Sequence, residues 1–242
     1  MRPASSHSRD HFGMSPPLTG LSSMATRNLL REAVVDWRSR GGGEVAFESV
    51  GGIDALRRIE AGEALDIAVL AADAIERLVA AGRIVADSTK PLARSKVAIA
   101  VAAGAPRPAI DSIEALRDSV LAARSIGYST GPSGVALQRM FERWGILDAV
   151  RTRLVVAPPG VAVGDLVARG DAALGFQQRS ELMHVEGIDL IGAMPTGAEI
   201  DTIFSGGVLA ASRRPVAARA FLDFVRSPAA NAARQRNGMD SP

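Results

Sequence analysis

Cysteine is missing from all 242 residues, which excludes disulfide staples, thiolate nucleophiles and thiolate zinc sites. Lysine is nearly missing: Lys90 and Lys96 are the only two among 28 basic residues, so the other cations are arginines. Those arginines are interspersed with 26 acidic residues, as at Arg143 between Glu142 and Asp148, leaving a formal net charge of only +2. Aromatic side chains make up 4% of the chain. Without a basic stripe or interleaved aromatics there is no platform for nucleic acid, and no such partner is expected. No apolar run approaches the roughly 20 residues of a spanning helix, so no membrane insertion is expected. Neither a bound metal nor a cofactor is expected.

What is present is globular in proportion: 47% apolar, 22% charged, with 24 glycines and 13 prolines. The length suits one large domain or two small ones. The opening MRPASSHSRDHFGMS is polar and lacks the apolar stretch of a signal peptide. Residues 1–16 are expected to be a disordered leader. As written, the chain is expected in the cytoplasm; a true start elsewhere, as at Met14, or a lost export signal would allow the periplasm.

Two hydrophobic periods alternate along the rest. Strands are predicted at Leu18 to Ser22, Val45 to Ser49 and Asp66 to Ala71. Helices follow at Met24 to Arg40, Gly51 to Ala61 (through Ile53, Leu56 and Ile59) and Asp73 to Ala81, closed by Gly41, Gly62 and Gly82. A long apolar strand, about 92–103, then precedes a helix opened by the capping box Asp111-Ser-Ile-Glu114. A second series runs through strands at Ser125 to Ser129, Arg153 to Ala157 and Ala172 to Phe176. Its helices are Pro132 to Trp144, with Val135, Met140, Phe141 and Trp144 inward, and Val161 to Ala168. A second long strand, about 199–211, is predicted to be interrupted at Gly206-Gly207. Helices Pro215 to Arg226, apolar through Val216, Ala220, Phe221 and Val225, and Ala229 to Arg236 finish the chain.

Repeated β-α units predict parallel sheets covered on both faces. Two such series joined by two long strands predict two α/β lobes with a cleft between them: 17–91 plus 200–242 as lobe I and 92–199 as lobe II. The competing arrangement is a single doubly wound sheet. Ligands in such folds sit where strand ends meet helix N-termini, because free N–H groups and helix dipoles point there.

Four such turns and one strand end carry unusual chemistry. Ser22-Ser23 precedes the first helix, and Gly51-Gly52 opens the second with bare backbone. Ser129-Thr130-Gly131-Pro132-Ser133-Gly134 crowds three hydroxyls into one turn where a cap needs one. Pro158-Pro159-Gly160-Val161 opens another helix, and Gln177-Gln178 ends a strand with two amides. Hydroxyls, amides and free N–H groups are donors for a desolvated anion. Taken singly, the serines also read as caps and the glycines as tight turns.

The Ser22-Ser23 turn, Arg57-Arg-Ile-Glu-Ala-Gly62 running into Asp66-Ile-Ala-Val-Leu-Ala-Ala-Asp73, Gly131-Pro-Ser-Gly134 and Arg169-Gly-Asp-Ala-Ala-Leu-Gly175-Phe-Gln-Gln resemble the periplasmic molybdate-binding proteins of ABC transporters. The likeness spans about residues 17 to 236. It implies the two-lobed type II periplasmic binding protein fold, with two crossing strands and an oxyanion held in the interlobe cleft. It further implies a ligand role for Ser23 and anion contacts from the backbone N–H groups of Ser133 and Val161. Gly51 or Gly52 stands where that family has a second serine, and Gln178 where it has a tyrosine. Those departures point to a larger anion, such as a di- or tricarboxylate, with Ser129, Thr130, Gln177 and Gln178 contributing. Arg27, one turn into the first helix, could reach such a carboxylate with two donors, and also reads as a solvated arginine on an exposed face.

The resemblance extends to aconitate isomerase-like members of the same fold. Two functions are therefore weighed. The first is a monomeric binding protein that closes on a small anion and hands it to an ABC permease. The second is an isomerase of an unsaturated polycarboxylate, which needs a base for allylic proton transfer. His7, His11, His184 and Glu48 are the candidate bases, and none is singled out. A ligand sensor would need a DNA-binding segment, and none precedes residue 17.

Overall fold

A computed structural model describes residues 16–242. The expected leader, with His7, His11 and Met14, lies outside the described residues except for Pro16. The described residues open with β1 (Leu18–Ser23), α1 (Arg27–Ser39), β2 (Val45–Val50), α2 (Gly52–Glu60), β3 (Ile67–Ala71) and α3 (Ala72–Ala80). Strands β2, β1 and β3 lie side by side and parallel. Ile67 to Leu70 are buried, as a strand covered on both faces requires. Gly62 and Gly82, just past α2 and α3, take φ of +88° and +66°, the left-handed geometry that ends a helix.

The second series begins with β4 (Lys90–Ala102) and α4 (Ile113–Ala122), then β5 (Ile126–Tyr128), α5 (Pro132–Arg143), α6 (Leu147–Val150) and β6 (Leu154–Val156). It continues with α7 (Val163–Ala168), β7 (Leu174–Gln178), α8 (Arg179–Leu182) and β8 (Ile188–Ala193). Then β9 (Asp201–Val208), α9 (Pro215–Arg226), α10 (Asn231–Arg236) and β10 (Met239–Asp240) complete the described chain. Strand β4 serves two sheets. Its first part, Lys90 to Lys96, runs antiparallel to β9, which in turn pairs with β3. Its second part, from Val97 onward, pairs with β7 and β8, while β7, β5 and β6 are parallel. The chain thus passes between the two sheets within β4 and returns by way of Ile200, whose carbonyl accepts the Val97 N–H at 2.9 Å.

Several sequence expectations are corrected. Helix α4 is capped by Ser112, whose Oγ accepts the Ala115 N–H at 3.0 Å, so Asp111 and Glu114 do not form the expected box. Gly206-Gly207 does not interrupt β9. A Cβ at Gly206 would lie 2.5 Å from Leu222, and one at Gly207 2.6 Å from Ile84, so these glycines admit α9 and the Ile84 side chain against an unbroken strand. On α9 the inward residues are Ala218, Phe221, Leu222 and Val225; Val216 is 81% exposed and Ala220 is exposed. Ile53 and Val135 face outward at 59% and 45% exposure, not into the core. Strands β8 and β10 are additions that hydrophobic spacing does not reveal.

Two buried polar groups tie the C-terminal elements to the first sheet. Asp66, just before β3, accepts hydrogen bonds from Thr19 N–H (2.9 Å), Ser212 Oγ (2.6 Å) and Arg214 (2.7 Å). Burial alone would raise its pKa, but these donors prevail and hold it below the ordinary aspartate value. Arg234, only 2% exposed, donates to the carbonyls of Leu92, Val225 and Ser227, which pins α10 and the end of α9 to β4.

Candidate functional site

The strand-to-helix turns of both halves converge on one cavity of about 430 Å³. From the first half it is lined by Ser23, Gly51, Gly52 and the α1 residues Arg27, Asn28 and Arg31. From the second half come Ser129, Thr130, Ser133, Val161, Gln177 and Gln178, with Asp165, Glu181 and His184. Ser23 has extended backbone and its hydroxyl caps no N–H, which leaves it free to face the cavity. Ser133 sits in the first turn of α5, where an N–H has no partner four residues back; its hydroxyl lies 3.3 Å from that of Ser129.

Two expected site residues are not brought to the cavity. Ser22 is 0% exposed, and its hydroxyl bonds that of Ser49 at 2.8 Å, because the parallel register of β1 and β2 sets the two serines side by side. Gly134 instead lets α5 pack against the preceding loop: a Cβ there would stand 1.7 Å from the Ser129 carbonyl oxygen. Val161 does line the cavity, but its N–H already donates to Pro158 O at 3.0 Å, closing a turn with Pro159 and Gly160 (φ +77°) at its centre. The backbone donor expected there is taken.

The inner wall is built by β7 and α8. The Gln177 amide oxygen accepts the Val163 N–H at 2.7 Å, satisfying the start of α7. A backbone N–H can only donate, so this bond fixes the amide's orientation and turns its NH2 group toward Glu181 Oε1 at 2.9 Å. No cation lies within salt-bridge distance of Glu181 among the described residues. Burial therefore dominates over the Gln177 hydrogen bond and pushes the Glu181 pKa up to about 7. Gln178 donates to Thr202 Oγ1 at 2.7 Å, joining β7 to β9, and its own amide oxygen is buried without a partner.

The candidate bases divide accordingly. Glu48 is exposed and gripped by Arg58 at 2.6 and 2.7 Å, which lowers its pKa, and it lies away from the cavity. His184 lines the cavity and bonds Asn237 Oδ1 at 3.1 Å. Glu181 is the titratable group that sequence reasoning passed over. Its signal was faint: a glutamate four residues after Gln177, across a strand-to-helix turn. Arg31 was also missed, although it stands four residues after Arg27 and so shares its helix face. Neither arginine forms an ion pair among the described residues. No cluster of three metal-ligating side chains occurs among the described residues, and no described helix is long and apolar enough to cross a membrane.

Residues 18–240 match the family model described as bacterial extracellular solute-binding protein. The chain belongs to that family. Aconitate isomerase from a Pseudomonas species is 38% identical over 185 residues, 75% of this chain and 70% of that protein. Among solved structures, the periplasmic molybdate-binding protein of Azotobacter vinelandii superposes with a TM-score of 0.77 at 19% identity, covering 93% of this chain and 99% of the other. A sulfate-binding protein of Mycobacterium tuberculosis gives a TM-score of 0.77 at 17% identity, covering 93% and 86%. The fold is thus the two-lobed type II periplasmic binding protein fold expected from sequence, not a single doubly wound sheet.

Proposed function

We propose that the protein binds a small polycarboxylate in the cleft and closes its two lobes around it. The observation that carries this reading is the convergence of hydroxyl and backbone donors from both halves with Arg27 and Arg31 on one cavity. A guanidinium meets a carboxylate with two parallel donors, an arrangement suited to a multiply charged organic anion. The volume, about 430 Å³, also exceeds what a single tetrahedral oxyanion fills. Closure has an apolar contribution as well. Exposed Ile53 on α2 and Val135 on α5 line a common recess beside the cavity, and bringing the lobes together would bury both. In this reading the closed form is what an ABC permease engages.

A second reading is favoured by the 38% identical isomerase and by Glu181: the same cleft isomerises an unsaturated polycarboxylate. Thermal-shift measurements with molybdate, tungstate, sulfate, citrate and cis- and trans-aconitate test the binding common to both. Carboxylates are expected to stabilise the fold by about 2.7 kcal/mol at 100 times their dissociation constant. Stabilisation by molybdate or tungstate alone would overturn the polycarboxylate assignment. Arg27→Ala is expected to weaken carboxylate binding by about 1.5–3 kcal/mol, the worth of a charged hydrogen bond, measured by calorimetric titration.

A further inference from the structure

We propose that Glu181 is the group that moves the proton when this cleft isomerises an unsaturated polycarboxylate, an inference that rests on the isomerase reading above. Double-bond migration needs a base that removes an allylic proton and returns it to the far carbon, so the same group must be stable both charged and neutral. Glu181 meets that requirement by its surroundings. One oxygen is held at 2.9 Å by Gln177, whose own orientation is locked by the Val163 N–H. The carboxyl is thereby positioned by backbone while it lines the cavity.

The charged and titratable groups around the cavity set its electrostatics. Arg27 and Arg31 come from α1, Asp165 from α7, and His184 from the segment just after α8. Asp165 is committed to the Ala162 N–H at 3.3 Å, and the His184 ring to Asn237. The arginines line the cavity but form no salt bridge with Glu181, so they can hold the substrate carboxylates without quenching the base.

The step balances without a co-reactant. Glu181 takes a proton from the methylene carbon next to the double bond; that C–H bond breaks as an O–H bond forms, and the electron pair spreads over the allylic system into an adjoining carboxylate. Arg27 and Arg31 stabilise the charge that develops there. The Glu181 O–H then breaks as the proton passes to the other end of the allylic system, and the double bond settles in its new place. Burial raises the Glu181 pKa to about 7, which keeps both forms available near neutrality.

The test compares the full-length wild-type chain, Glu181→Gln and His184→Gln on cis- and trans-aconitate in deuterated water, following isomerisation and deuterium incorporation by NMR and binding by calorimetry. Glu181→Gln is expected to lose 10²- to 10⁴-fold in kcat, the usual worth of a positioned acid-base group, while still binding aconitate. Wild-type kcat/KM is expected to fall with decreasing pH below about 7, as Glu181 is protonated, and any residual turnover of the variant should lack that acid limb. Wild-type turnover that survives in Glu181→Gln, or that is lost in His184→Gln instead, would overturn the role of Glu181 alone. A wild-type chain that binds both aconitates with neither turnover nor exchange would overturn the isomerase reading and this proposal with it.

Discussion

Asp66 and Glu181 are both carboxylates drawn away from water in the same chain, yet their pKa values move in opposite directions. Asp66 lies at the entry to β3, faces Arg214 and receives two further donors, so its charged form is favoured. Glu181 lies on the cavity wall with a single amide donor and no cation within reach among the described residues, so its charged form is disfavoured. At Asp66 the donors outweigh burial, whereas at Glu181 burial outweighs a single amide. A carboxylate given a cation becomes a clasp between elements; one given only an amide keeps its proton in play.

Three substitutions would break or sharpen that contrast. The largest effect on stability is expected from Asp66→Ala, which leaves Arg214 and the Ser212 hydroxyl without their shared acceptor. A loss of about 3 kcal/mol in urea unfolding at pH 7 is expected, the low end of the cost of removing one partner of a buried pair, because Arg214 is partly exposed and keeps the Pro16 and Pro17 carbonyls. Because the folded-state pKa of Asp66 is lowered, its contribution is present above the ordinary value of 3.8 and is lost as pH falls through the lower folded value. Glu181→Gln is expected to act in the opposite direction. Its pKa is raised from 4.5 to about 7, so the wild-type fold loses stability as pH climbs through that interval. The variant should therefore be more stable than wild type by about 1–3 kcal/mol at pH 8 and nearly equal to it at pH 4, read from thermal melts at both values. The smallest effect is expected from Glu48→Gln, whose partner Arg58 is also held by Glu63 at the surface. Its melting temperature and ligand affinity should match those of wild type, and a measurable loss of binding would show that the cleft extends to β2.

The fold was legible because its two periods are: covered parallel strands read as continuous apolar runs, and α1, α3 and α5 carry ordinary stripes. What escaped had physical reasons. Strand β8 has no buried residue and β10 has two residues in all, so neither has enough pattern to separate it from a loop. Gly206-Gly207 signalled a break, whereas the glycines answer to Leu222 and Ile84, which are distant in sequence. The cavity turns were found because hydroxyls and glycines cluster at strand ends. Ser22 could not be told from Ser23 without the β1–β2 register, and the Val161 N–H could not be known to be occupied. Glu181 left only its spacing from Gln177 as a mark, because its raised pKa depends on burial and on the absence of a cation within salt-bridge distance among the described residues.

Strand β4 passes unbroken from one sheet into the other, which restricts the motions open to the molecule. The lobes cannot slide past or separate from each other without tearing a hydrogen-bonded ladder, so flexure of a shared backbone is the remaining freedom. A guest in the cleft would then be met by a wall swinging along one arc. If the lobes close as proposed, fit would be decided by how far that arc can travel before the guest stops it, and anions would be sorted by their length along that direction.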